Sequence, residues 1–301
     1  MASIKNLIRF SELLIAAILV GCGEGMIDVS SADYQPKIVI DGYIFPGQKV
    51  EDIKITRNIP LNTNIDVSGI ILFNAEVTIT DLTANTIYPL SFNYNKLYFE
   101  DAGGRLKIEN GKSYKINVKA KIDNKILHAG AVTTVPLSGL SLAAKDLGQL
   151  KYREPDAYGN QKKFTLTFKP SPDAAFHSFT ITAYDTAVNN FIYDNPYHKF
   201  DSTQVFENMD SFRHSFSWLQ NTRPGADMLT YQVEWLDIWF YGNYRLIVYA
   251  GDQNFKDFIL THNSVMEMDG NFHEPKLHIE GDGIGVFGSA VSDTVYFKVL
   301  K

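Results

Sequence analysis

Apolar and polar positions alternate with a period of two along most of this chain. Tyr114, Ile116, Val118 and Ala120 are set against Lys115, Asn117, Lys119 and Lys121, the pattern of a strand with one wet face. Val77 and Ile79 oppose Glu76, Thr78 and Thr80 in the same way. Ile38-Val39-Ile40 belongs to a β-branched run from Pro36 to Ile44, closed by the turn signal Phe45-Pro46-Gly47, and another strand is predicted over Asp52 to Thr56. Asn110-Gly111 is a tight-turn dipeptide of the kind hairpins use. No stretch before Pro136 has a helical period. Residues 34–136 are therefore expected to form an immunoglobulin-like or transthyretin-like β-sandwich.

Val135-Pro136-Leu137-Ser138-Gly139 marks the crossing into a second region, residues 137–301, which is predicted to be β-rich. Phe164, Leu166 and Phe168 alternate with Thr165, Thr167 and Lys169, and Phe179, Ile181 and Ala183 with Thr180, Thr182 and Tyr184. Further strands are predicted at Leu229 to Trp235, Tyr244 to Ala250 and Asp293 to Val299. One short helix is expected over Asp252 to Thr261, where Phe255, Phe258 and Ile259 fall at helical spacing, Asp252 supplies an N-cap and Asn263 an end. The fold class is thus all-β with one short helix.

The period of two fails at the N-terminus. Lys5 and Arg9 precede the apolar run Leu13 to Val20, the layout of a secretory signal, and the run is too short for the roughly 20 residues that cross a bilayer. Leu19-Val20-Gly21-Cys22 then reads as a lipobox around the chain's one cysteine. The expectation is a signal peptide over 1–21, lipidation at Cys22, and a flexible tether over 22–33. A single cysteine leaves no disulfide to hold the fold. The formal net charge of −6 comes without a basic stripe and argues against nucleic acid as a partner.

Motifs for chemistry are weak. Gly283-Ile284-Gly285-Val286-Phe287-Gly288 has the dinucleotide-loop spacing but leads into a strand, so a glycine-rich turn or bulge is expected and no cofactor. His273-Glu274-Pro275-Lys276-Leu277-His278 has the wrong spacing and a proline where a zinc helix would run. His262, Glu267, Asp269, Glu274, Glu280 and Asp282 crowd the same region and leave an oxygen-lined cation site open as an alternative to solvated loop carboxylates. No G-x-S-x-G elbow occurs, and Glu234, Asp237 and Asp252 are the carboxylates nearest the aromatic stretch that a glycosidase would use. No catalytic residue and no metal ligand is assigned.

Aromatic density stands out. Of the 39 aromatic residues, 18 fall between Phe176 and Tyr249. Core packing explains most such enrichments. The sharper alternative is a stacking platform for a glycan or peptide built from Trp218, Trp235, Trp239 and Tyr241, because Trp239-Phe240-Tyr241 cannot all point into one core.

Taken in order, the lipobox, Tyr34 to Ile44, Asn74 to Asp81, Gly111-Lys112-Ser113-Tyr114, Asn271 to Pro275 and Gly281 to Gly288 resemble the Bacteroidetes lipoproteins grouped as domain of unknown function 4249. The resemblance implies an outer-membrane lipoprotein of the kind encoded beside TonB-dependent transporters, with no catalytic residues to carry over. The expected function is a non-enzymatic accessory or binding component of TonB-dependent uptake, held to the outer membrane by its lipid. A surface hydrolase of glycans or peptides and a structural or adhesive envelope protein are the alternatives.

Overall fold

The computed structural model describes residues 34–60, 67–174, 176–194, 201–220, 222–223, 226–262 and 275–301. Cys22, the predicted signal peptide and the tether lie outside the described residues. One compact body takes in Pro36–Asn58 and Ile65–Lys301; of the other unit, Met1–Gln35 with Ile59–Asn64, only Tyr34, Gln35, Ile59 and Pro60 are described.

The described chain is mostly strand. The first half supplies β1 (Ile38–Ile44), β2 (Lys54–Arg57), β3 (Glu76–Asp81), β4 (Thr86–Pro89), β5 (Ser91–Asn93), β6 (Tyr98–Glu100), β7 (Ser113–Ile122) and β8 (Lys125–Thr134). The second supplies β9 (Ser141–Leu142), β10 (Asp146–Lys151), β11 (Phe164–Lys169), β12 (Phe176–Ala183), α1 (Ser202–Glu207), α2 (Met209–Arg213), β13 (His214–Gln220), β14 (Leu229–Val233), β15 (Gly242–Gly251), α3 (Gln253–His262), β16 (Glu280–Gly281) and β17 (Gly283–Leu300). The all-β reading holds. The predicted helix forms at α3, where the Asp252 carboxylate accepts the Phe255 N–H at 2.9 Å. Asn263 lies outside the described residues. Two shorter helices, α1 and α2, were not legible: six and five residues are too few to show a period, although Asp201 caps α1 through the N–H groups of Thr203 and Gln204.

Two sandwiches share one long strand. The first packs a five-stranded sheet, β16-β8-β7-β3-β4, against β2, β1 and the start of β17, around Ile38, Ile40, Ile53, Ile79, Tyr114, Ile116 and Phe287. The second packs β14-β11-β9 against the remainder of the large sheet, ordered β13-β12-β15-β17-β1-β2, with β10 also paired to β17. A division at 136/137 therefore needs correction. β1 pairs in parallel with β17 from Ile38–Gly283 to Ile44–Ser289, and β16 pairs with β8, so the first sandwich is completed by strands from the far end of the chain. The reason lies in β17: its 18 residues are long enough to place Phe287 and Val291 in one core and Val295, Phe297 and Val299 in the other.

The glycines of Gly283 to Gly288 are part of that strand and form neither a turn nor a phosphate loop. Gly285 has φ +106°, and a Cβ there would collide with the Ile40 carbonyl oxygen across the parallel pair. Asn110-Gly111 is not the hairpin turn either. The β7–β8 hairpin turns at Asp123 and Asn124, with φ of 48° and 65°, the left-handed pair that a two-residue loop requires. Gly111 instead precedes β7, its N–H donating to the Val135 carbonyl at 2.9 Å.

Candidate functional site

The four predicted platform residues are not brought together. Trp235 is buried in the second core, its ring edge-on to Tyr152 at 5.5 Å and its Nε1 donating to the Lys162 carbonyl at 2.9 Å. Trp239 is half-buried between Phe191 and Phe212, at 6.0 and 5.1 Å. Tyr241 packs against Tyr152 at 6.0 Å, with the Lys301 ammonium 5.8 Å from its ring centre. Core packing thus accounts for these three, which lie on the 3₁₀ turn after β14 and on the segment leading into β15 and turn their rings onto the second core. Trp218 alone points outward, from β13 at the edge of the large sheet.

Trp218 belongs to a different platform. In β17, Val291, Val295, Phe297 and Val299 are buried while Ser292, Tyr296 and Lys298 are exposed, so the even positions face away from the second core. Register carries that face across four strands. One row reads Trp218, Ser178, Tyr249, Ser292; the next Phe216, Thr180, Ile247, Thr294; the third His214, Thr182, Arg245, Tyr296. Tyr184, immediately after β12, donates its N–H to Asn243 and places its ring 6.0 Å from the Arg245 guanidinium. Four large rings stand open on this face: Phe216 at 45 %, Trp218 at 41 %, Tyr184 at 46 % and Tyr296 at 51 % exposure. Phe216 and Trp218 are neighbours at 5.9 Å.

One end of the face is closed and the other is open. Helix α3 covers Phe176 and Ala290 with Phe255, Ile259 and Leu260. Beside it, Phe45 meets Tyr249 at 5.9 Å, and Ser292 leads into a cleft of about 660 Å³ lined by Gln48, Glu109, Asn110 and Ser138. Burial raises the Tyr249 phenol above its ordinary range, which keeps it a hydroxyl donor at any physiological pH.

The carboxylates considered for hydrolysis fall in two places, Glu234 and Asp237 on one 3₁₀ turn and Asp252 at the start of α3. Glu234 accepts from Gln232 at 2.9 Å, and Asp237, raised by burial and then by Glu234, belongs to the 3₁₀ turn after β14. Asp252 caps α3 and accepts the Thr133 hydroxyl at 2.6 Å; burial raises it despite those hydrogen bonds. The crowded acidic stretch is dispersed. His278 bonds Asp257 at 2.8 Å, Asp282 accepts the His128 N–H at 3.1 Å, Glu280 lies 3.9 Å from Lys115, and His262 stacks on Phe258. Glu267, Asp269, His273 and Glu274 lie outside the described residues. Among the described residues no group of three or more His, Cys, Asp or Glu side chains is placed to hold a metal ion.

Fold and surface together define an all-β protein of two fused sandwiches with an open aromatic sheet face. Residues 26–294 match the family described as Domain of unknown function (DUF4249), and the chain belongs to that family. No curated protein matches the sequence. Among solved structures, a tetra-tandem repeat from the extending region of a large adhesion protein is similar at 13 % identity and TM-score 0.22, over 88 % of this chain and 49 % of that one. A bacterial ice-binding adhesin is similar at 10 % identity and TM-score 0.20, over 88 % and 64 %. The chain thus spans about half the length of the first.

Proposed function

We propose that this protein is a lipid-anchored outer-membrane lipoprotein acting as a non-enzymatic accessory, or binding component, of a TonB-dependent uptake system. The observation that carries the reading is the lipobox Leu19-Val20-Gly21-Cys22, the chain's one cysteine set directly behind a short apolar run. Acylation there with two or more chains gives stable attachment, where a single chain is marginal. The sheet face around Trp218 supports a binding role, since isolated exposed rings are common but four on one face of one sheet offer a contiguous contact surface.

The test is a mild-detergent pull-down of the lipidated protein from its native membrane, with mass spectrometry of what accompanies it. Near-stoichiometric recovery of one TonB-dependent receptor is expected. Recovery of the lipoprotein alone overturns the stable-complex form of the proposal. Cys22→Ala is expected to move the protein from the membrane to the soluble fraction.

A further inference from the structure

The outer face of the large sheet carries an uncompensated charge. Arg245 lies at its centre, half-buried, with Thr182 and Tyr296 on either side in its row and the Tyr184 ring against its guanidinium. Its Nε is buried and has no hydrogen-bond partner, and no carboxylate among the described residues pairs with it. The neighbouring sequence explains why. β12, β13 and β15 contain no Asp or Glu, and the one acid of β17 beyond β16, Asp293, is turned to Lys145 and the Leu142 N–H. The guanidinium thus stands among aromatic rings without a carboxylate partner, with Asp146 opposite Tyr296 on β10 and Asp185, bonded to Asn243, at the margins of the face.

We propose that this face binds an acidic polysaccharide, with sugar rings stacked on Trp218, Phe216 and Tyr296 and a carboxylate or sulfate held by Arg245. Rings present flat apolar surfaces with polar edges, which match the C–H face and hydroxyl rim of a pyranose. Arginine supplies a planar fork that matches a carboxylate or sulfate better than any neutral donor. Thr180 and Thr294 stand between the rings at cross-strand positions and supply hydroxyl donors and acceptors for sugar hydroxyls. From β13 to β17 the face spans three strand spacings, roughly 14 Å, room for a short oligosaccharide crossing the strands. An extended peptide suits it less. Peptides added to a sheet take main-chain hydrogen bonds from an edge, whereas here the recognition groups are side chains on a face.

This inference rests on the uptake reading only for its biological setting, since binding is measured on the purified protein and the receptor pull-down is separate. Native gels containing sodium polygalacturonate, dextran or poly-glutamate, run with the detergent-solubilised full-length mature protein, test it. Retardation by polygalacturonate and weaker retardation by dextran are expected. Trp218→Ala weakens both by about tenfold. Arg245→Gln brings polygalacturonate down to the dextran level and leaves dextran unchanged, while Arg245→Lys restores part of the difference. Thermal melting that coincides with the parent for Trp218→Ala and Arg245→Gln assigns these losses to binding. No retardation by polygalacturonate, or retardation that Arg245→Gln does not alter, overturns the proposal. Equal retardation by poly-glutamate assigns the face to an acidic peptide and overturns the sugar assignment.

Discussion

The two cores of this molecule are built from different side chains. The first is chiefly branched aliphatic, with Ile38, Ile40, Ile53, Ile55, Ile79, Ile116, Val77 and Val118 around the fully buried Tyr114. The second is chiefly aromatic, with Phe164, Phe168, Phe179, Phe191, Phe240, Phe297, Tyr231, Tyr244 and Trp235. Both cores bond their buried hydroxyls, the first at one residue, where Tyr114 accepts the Glu109 N–H at 2.9 Å and donates to the Lys107 carbonyl at 3.1 Å, and the second at more than one. The Tyr244 hydroxyl donates to the Phe240 carbonyl and accepts the Phe240 N–H, both at 2.8 Å, and the Tyr231 hydroxyl meets Ser217 at 2.5 Å. Those bonds make the second core more particular about geometry: a displaced ring loses packing and strands a polar group. The same sheet then shows rings of opposite use, Phe179 inside and Phe216 and Trp218 outside, separated only by strand parity.

Substitutions sharpen that contrast, beginning with the inner face. Phe179 is fully buried and stacked on Tyr231 at 3.8 Å and 9°, so Phe179→Ala is expected to cost about 4 kcal/mol in denaturant unfolding. A cost below about 1 kcal/mol would show that the second core repacks freely.

The next effect depends on pH. His177 is buried against Phe168, its Nε2 has no partner among the described residues, and burial lowers its pKa from 6.5 to about 4. Between those values the unfolded chain binds a proton that the folded chain refuses. Stability therefore rises with pH across that window and falls on acidification, by on the order of 3 kcal/mol. His177→Leu is expected to flatten the slope of unfolding free energy from pH 6.5 down to 4 relative to the parent; parallel slopes would remove His177 as its source.

Smaller is the cap of α3. Asp252→Ala removes acceptors for Phe255 N–H and the Thr133 hydroxyl and is expected to lose about 1–2 kcal/mol, read by chemical denaturation. Smallest is Trp218→Ala, expected to shift stability by less than about 0.5 kcal/mol because the ring stands open on the sheet's outer face. A loss comparable to that of Phe179→Ala would place Trp218 in the packing and remove it from the binding surface.

Local pattern determined a good part of this protein. Alternation at Tyr114 to Lys121 and at Phe164 to Lys169 predicted strands that form at β7 and β11, and helical spacing after Asp252 predicted α3, because side-chain period follows directly from backbone geometry. Short polar segments such as α1 and α2 carried too few residues for any period to register. Pairing between distant segments was beyond reach. Nothing in Ile38 to Ile44 announces a parallel partner at Gly283 to Ser289, since each strand's alternation is satisfied by any neighbour of the right parity. The glycines there looked like a turn until Ile40 was laid beside them. The aromatic window was visible at once, but which rings face inward is set by the strand register and by the side the covering sheet occupies. Trp235 in the core, Trp218 on the face and Arg245 unpaired between strands were therefore decided only when the sheets came together.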